Sequence, residues 1–128
     1  MHKKKHKSSV RIIGGTWRRR KILFPHGLGL RPTGDRIRET LFNWLQPNIV
    51  DAICLDLFAG SGSLGLEAKS RGCASCTLIE KNKKAFTCLR NTSEALGASV
   101  DLINDDALKH LASTQFKKKF DIVFVDPP

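Results

Sequence analysis

The stretch Asp56-Leu-Phe-Ala-Gly-Ser-Gly62 joins a carboxylate to small residues that let a backbone turn sharply and present its N–H groups to a ligand. A site of nucleotide type is the first expectation. Gly60-Ser-Gly-Ser-Leu-Gly65 also satisfies the GxGxxG fingerprint of dinucleotide binding, and Glu80 stands about twenty residues on, where a ribose-binding acid belongs. Taken alone, that pattern would suit a nicotinamide dinucleotide. Asp56 moves the balance, because a carboxylate at the mouth of the loop repels a pyrophosphate and suits the cationic amino-acid end of S-adenosylmethionine. The second chemical motif is Asp126-Pro127-Pro128. Its carboxylate and the Pro127 carbonyl are acceptors for an exocyclic NH2 group, and the prolines stiffen the backbone that carries them. Hydride transfer has no use for such a motif. Prolines do commonly follow strands, so the motif carries weight through its expected place on the same edge of the sheet as Asp56.

Other candidates are weaker. Asp106, rather than Asp105, could accept from an adenine amino group, although a helix N-cap explains the same residue. Cys73-Ala-Ser-Cys76 has the spacing of a zinc half-site without a second half. It and Cys54 and Cys88 read as reduced thiols in apolar segments, and no metal is expected. His26 and His110 lack any partner pattern and are assigned no role.

Charge is informative once it is located. Residues 1–38 hold twelve of the 22 Lys and Arg and one of the twelve acids, so the formal +10 of the chain rests entirely there. This is the pattern of an arm that neutralises phosphates. Arg18, Arg19, Arg20 and Lys21 interleave with Trp17 and Phe24, which puts cations and stacking faces together as RNA binding requires. Arg11, Arg31, Arg36 and Arg38 complete the candidate RNA contacts.

The elements that must position these groups follow from the pattern. Residues 1–9 read as a basic, disordered tail, and 10–24 as two short strands around a Gly14-Gly15 turn or bulge. A loop over 25–32 precedes a helix capped by Thr33 or Asp35 and stopped by Pro47. Its packing face is Ile37, Leu41, Trp44 and Leu45, with Arg36 and Arg38 pointing elsewhere. Residues 10–47 thus form a basic RNA-binding extension. From 48 onward strands and helices alternate, with strands over 53–58, 76–80, 99–104 and 121–125 and helices over 64–71, 83–96 and 107–113. That is the order of an α/β fold with a parallel sheet. No apolar run or leader-like segment suggests a membrane or export, so a cytoplasmic monomer is expected.

Arg11-Ile-Ile-Gly-Gly, Trp17-Arg, Gly29-Leu-Arg-Pro-Thr, Asp35-Arg-Ile-Arg-Glu-Thr-Leu-Phe-Asn-Trp-Leu45, Gly65-Leu-Glu-Ala and the two motifs above together resemble the bacterial 16S ribosomal RNA guanine-N2 methyltransferases. The resemblance covers nearly the whole chain after the tail. It implies a Rossmann-like class I methyltransferase sheet, S-adenosylmethionine as donor, and a guanine of 16S rRNA or of the assembled small subunit as acceptor. By the same resemblance Asp56, Phe58, Gly60 and Gly62 hold the cofactor, Glu80 its ribose and Asp106 its base, while Asp126 and Pro127 take the target amino group. The implied reaction is direct displacement by N2 on the methyl carbon, without metal or covalent intermediate.

Three departures stand out. The family continues past Asp-Pro-Pro with an aromatic residue and three further strands that this sequence lacks, so the chain is expected to be either an inactive, truncated product or part of a longer protein, with its fourth strand an apolar edge. Arg19 stands where the family usually has Gly. Lys69 replaces a usual Leu and is expected to run its stem along the surface. The competing expectations are an RNA-binding module without catalysis and a nicotinamide-dependent oxidoreductase fragment.

Overall fold

A computed structural model describes residues 8–25, 33–113 and 119–128. The expected basic tail over 1–7 and the loop residues 26–32, with His26 and Arg31 among them, lie outside the described residues. The chain opens with an antiparallel ribbon of β1 (Ser8–Arg11) and β2 (Lys21–Phe24), with Val10 opposite Ile22 and Arg11 opposite Lys21. The first strand takes in Ser8 and Ser9, which the sequence reading had left in the tail. Between the strands the backbone stays paired in part, Ile12 N donating to Arg20 O (2.9 Å) and Arg19 N to Ile12 O (2.8 Å). Arg19 sits there at φ 72, a left-handed conformation that glycine adopts without steric cost and that a longer side chain takes rarely.

Helix α1 (Asp35–Ile49) differs from expectation in three ways. Its N-cap is Gly34, without a side-chain cap; Asp35 instead bonds Arg38, and Thr33 reaches out of the helix altogether. The helix continues through Pro47 to Ile49. Proline removes one backbone donor, yet burying Ile49 in the core holds the last turn in place. The buried face is Arg38, Phe42 and Ile49, at i, i+4 and i+11, with Leu41 and Leu45 partly covered, while Ile37 and Trp44 are 64% and 76% exposed.

A parallel sheet follows: β3 (Ile53–Asp56), β4 (Ser75–Ile79), β5 (Asp101–Ile103) and β6 (Ile122–Phe124), in the order β5-β4-β3-β6. The crossovers are α2 (Gly65–Ser70), α3 (Lys83–Leu96) and α4 (Ala107–Ser113). Asn82 caps α3 through Ala85 N (2.9 Å), and Gly97 ends it in the left-handed region at φ 68. The chain winds outward from β3 to β5 and then returns to pair β6 with β3, register Asp56 to Phe124. That reversal puts a crevice at the carboxyl ends of β3 and β6, the usual ligand position of open α/β sheets. Val123 and Val125 are largely exposed on the β6 side.

One core serves both parts. Ile12, Ile22, Phe42 and Ile49 from the extension pack with Cys54, Leu66, Leu78, Leu89 and Phe124, and the Phe42 and Phe124 rings lie 5.7 Å apart. The lock between them is Glu67 on α2. Its Oε1 accepts from Ile13 N and Arg38 Nη1, and its Oε2 from Gly14 N and Arg71 Nε, all at 2.8 to 3.0 Å. The cysteines are free and buried. Cys54 and Cys76 are held above the ordinary thiol range by contact with Cys73 and by burial. Lys69 lies over the end of its helix, its ammonium donating to the Ala74 carbonyl (2.9 Å).

Candidate functional site

Asp56 ends β3 pointing inward at 1% exposure. Its Oδ2 accepts from Gly65 N (3.1 Å), the first residue of α2, and among the described residues its Oδ1 has no hydrogen-bond partner. Gly65 must be glycine for this approach, since a Cβ would stand 2.5 Å from Leu78 Cδ2. Burial pushes the Asp56 carboxyl up to about 7; the N–H groups of Gly65 and Phe58 pull the other way, while the carboxylates of Asp126 and Glu80 add to the rise. A buried carboxylate oxygen without a donor is costly unless a cationic or donor ligand meets it.

The turn after β3 is shaped by Gly60 at φ 56, with open space where a side chain would stand. Gly60 N donates to Glu80 Oε1 (2.7 Å), and Asn82 N to Glu80 Oε2 (2.8 Å), so the acid at the end of β4 is fixed with lone pairs to spare for a diol. Gly62 behaves differently. At φ 99 it makes room for Leu89 and Leu66, and it is not among the residues lining the cleft. Asp106 caps α4, accepting from Lys109 N (3.0 Å), an N–H that holds its carboxyl below the ordinary range. The cap and the cofactor role are compatible, because Asp106 also lines the cleft.

Asp126, Pro127 and Pro128 run off β6 into the same cleft, which has a volume of about 740 Å³. Asp56, Phe58, Gly60, Glu80 and Asp106 line it together with Phe24, Thr33, Gly34, Ile37, Asp126 and Pro127. Among the described residues, five acids, Asp56, Glu80, Asp105, Asp106 and Asp126, line it against one cation, Lys81. A diphosphate would meet repulsion here, whereas a sulfonium with an α-ammonium group meets attraction.

The basic residues are divided by the fold. Arg18, Arg19, Lys21 and Arg36 are exposed, and so are Arg11 and Arg20, which spend one bond each on the carbonyls of Arg19 (3.0 Å) and Ala95 (3.1 Å). Trp17 is half-buried against the core, with its backbone N donating to Ser70 Oγ (3.0 Å). Arg38 is a correction: it is 0% exposed and bonded to Glu67, Asp35 and the Arg11 carbonyl, so its charge is consumed internally and cannot reach a phosphate. Two residues escaped the sequence reading. Glu67 is the buried anion that Arg38 serves, and the spacing of Arg38 with Phe42 and Ile49 is the signal that could have revealed it. Thr33 was read as a cap, yet its Oγ1 donates to Asp126 Oδ2 at 2.6 Å.

Comparison with known proteins agrees with this geometry. The chain is 52% identical to the Ribosomal RNA small subunit methyltransferase D of Escherichia coli (strain K12), over all of this chain and 65% of that protein, so it spans about two-thirds of the length of such relatives. The solved Escherichia coli protein yhhF superposes with a TM-score of 0.85 at 49% identity, covering 94% of this chain and 65% of that one. A T. thermophilus 16S rRNA N2 methyltransferase, in complex with AdoMet and guanosine, shares the fold with a TM-score of 0.71 at 24% identity, covering 96% of this chain and 33% of that one. The sheet is therefore that of the class I methyltransferases. The model of the family described as conserved hypothetical protein 95 matches residues 10–128, and the chain belongs to that family.

Proposed function

We propose that this protein transfers a methyl group from S-adenosylmethionine to N2 of a guanine in 16S ribosomal RNA, with the exposed basic residues of the ribbon and of α1 holding the RNA. The observation that carries the reading is a buried, half-satisfied Asp56 carboxylate sharing one anionic cleft with Asp126 and Pro127. The donor supplies an electrophilic methyl carbon on a sulfonium. Asp56 Oδ1 receives a donor from its amino-acid end, Glu80 the ribose hydroxyls, and Asp106 the base edge, with Phe58 and Gly60 shaping the floor.

The guanine amino group is a poor nucleophile because its lone pair is delocalised into the ring. Asp126 and the Pro127 carbonyl accept its two N–H bonds and turn the lone pair toward the methyl carbon, so alignment supplies much of the acceleration; as N2 gains the methyl group the S–CH3 bond breaks, and the proton that N2 then sheds passes to the Asp126 carboxylate. Relatives named as ribosomal RNA small subunit methyltransferases support the acceptor, and the acidic lining supports the donor over a nicotinamide dinucleotide. The place of action follows the substrate, in the cytoplasm with the small subunit.

Two measurements test this. Calorimetric titration should show S-adenosylhomocysteine binding that is lost in Asp56→Ala, and no binding of NAD. Labelled methyl transfer to small-subunit particles by the full-length protein should place the label on guanine N2 and fail in Asp126→Ala. RNA binding without any cofactor binding would leave a non-catalytic RNA module instead.

A further inference from the structure

We propose that Thr33 is a positioning residue for the acceptor: its hydroxyl holds the Asp126 carboxylate in the orientation that receives the amino group. The inference rests on the methyl-transfer reading and adds to it a role for the segment before α1.

The geometry is specific. Thr33 Oγ1 and Asp126 Oδ2 are 2.6 Å apart across 93 residues of sequence, a length typical of a hydroxyl donating to an ionised carboxylate. Asp126 needs such a restraint. The prolines that follow it stiffen the backbone, but they leave the two side-chain torsions of Asp126 free, and the outer torsion of a carboxylate is intrinsically broad. Among the described residues, Thr33 is the group that bonds this side chain. With one lone pair of Oδ2 engaged and the group's orientation set, Oδ1 keeps both of its lone pairs for a base.

Thr33 itself is well anchored. It precedes Gly34, whose carbonyl accepts from Arg38 N (2.9 Å), and the Arg38 side chain is locked to Glu67 in the core. Gly34 and Ile37 line the cleft beside it, so the start of α1 forms part of the wall at the acceptor end. The segment that carries the basic extension into the fold is thus also the segment that aims the acceptor carboxylate.

The test uses the full-length protein and small-subunit particles. Thr33→Val keeps the shape and deletes the donor; it should lower kcat by about 10- to 100-fold. KM for the particle, S-adenosylhomocysteine affinity and thermal midpoint should stay close to wild type. Thr33→Ser restores the hydroxyl and should recover most of the rate; should the valine variant fold poorly, Thr33→Ala takes its place in the same comparison. An unchanged kcat, a loss matched by weaker cofactor binding or lower stability, or a failure of serine to rescue would each overturn the assignment while leaving the reaction itself intact. Absence of methyl transfer by the wild-type protein would overturn both.

Discussion

At the scale of single residues the chemistry concentrates on Asp56. Its carboxyl has an ordinary value near 3.8 in an unfolded chain and about 7 in the fold, so the folded protein carries an extra proton between those values. The contribution of this group to stability without ligand is therefore greatest below about pH 4, declines as pH rises toward 7 and then levels off. Thermal melts across that range should show the decline, and Asp56→Asn should remove it; identical pH profiles would contradict the burial argument. A cation brought to Oδ1 favours the carboxylate. Binding of S-adenosylhomocysteine through its α-ammonium group should accordingly strengthen with rising pH up to about 7 and release a proton near pH 6. Calorimetry in buffers of different ionisation enthalpy measures that proton directly.

At the scale of elements, α1 does more than display charge. Its Arg38 and the Glu67 of α2 are both fully buried and paired at 3.0 Å, and Glu67 also receives the N–H groups of Ile13 and Gly14. Such a pair need not add net stability, but breaking it removes a buried donor from Glu67 and leaves Arg71 as its one remaining cation among the described residues. Arg38→Met should cost about 3–5 kcal/mol in denaturant unfolding. A cost below about 1 kcal/mol would mean that water reaches Glu67 when Arg38 is gone. The ribbon is set by the same network: a Cβ on Gly15, at φ 82, would stand 1.9 Å from the Ser70 carbonyl oxygen, so the Gly14-Gly15 turn closes directly on the end of α2.

At the scale of the whole molecule, two fields of opposite sign stand side by side. The cleft is acidic, while the ribbon and the outer face of α1 carry exposed arginines and a lysine. The first suits a cation and the second a polyanion. Replacing Arg18, Arg19, Arg20 and Lys21 by Gln should lower RNA affinity and reduce the slope of log affinity against log salt by about 3, with cofactor affinity unchanged. Filter binding over a salt series reads the slope. An unaltered slope would move the RNA contact elsewhere on the surface.

Much was legible in local pattern. The alternation of strands and helices, the glycine turn after Asp56, the αL cap at Gly97 and the Asp126-Pro-Pro ending each follow from residue type and spacing, because periodicity and backbone freedom are properties of neighbours in sequence. The α1 register was misread for the same reason: Ile37 and Trp44 look like core and Arg38 like surface until Glu67, 29 residues away, supplies the missing partner. Nor could spacing distinguish Gly60, which faces the cleft, from Gly62, which faces Leu89, or show that Thr33 serves Asp126 rather than its own helix. By itself, then, the sequence determined the kinds of element, their order and the chemical motifs at their ends. Which charges are spent inside and which remain for a ligand was decided only by tertiary structure, since desolvation and pairing depend on what distant segments bring into contact.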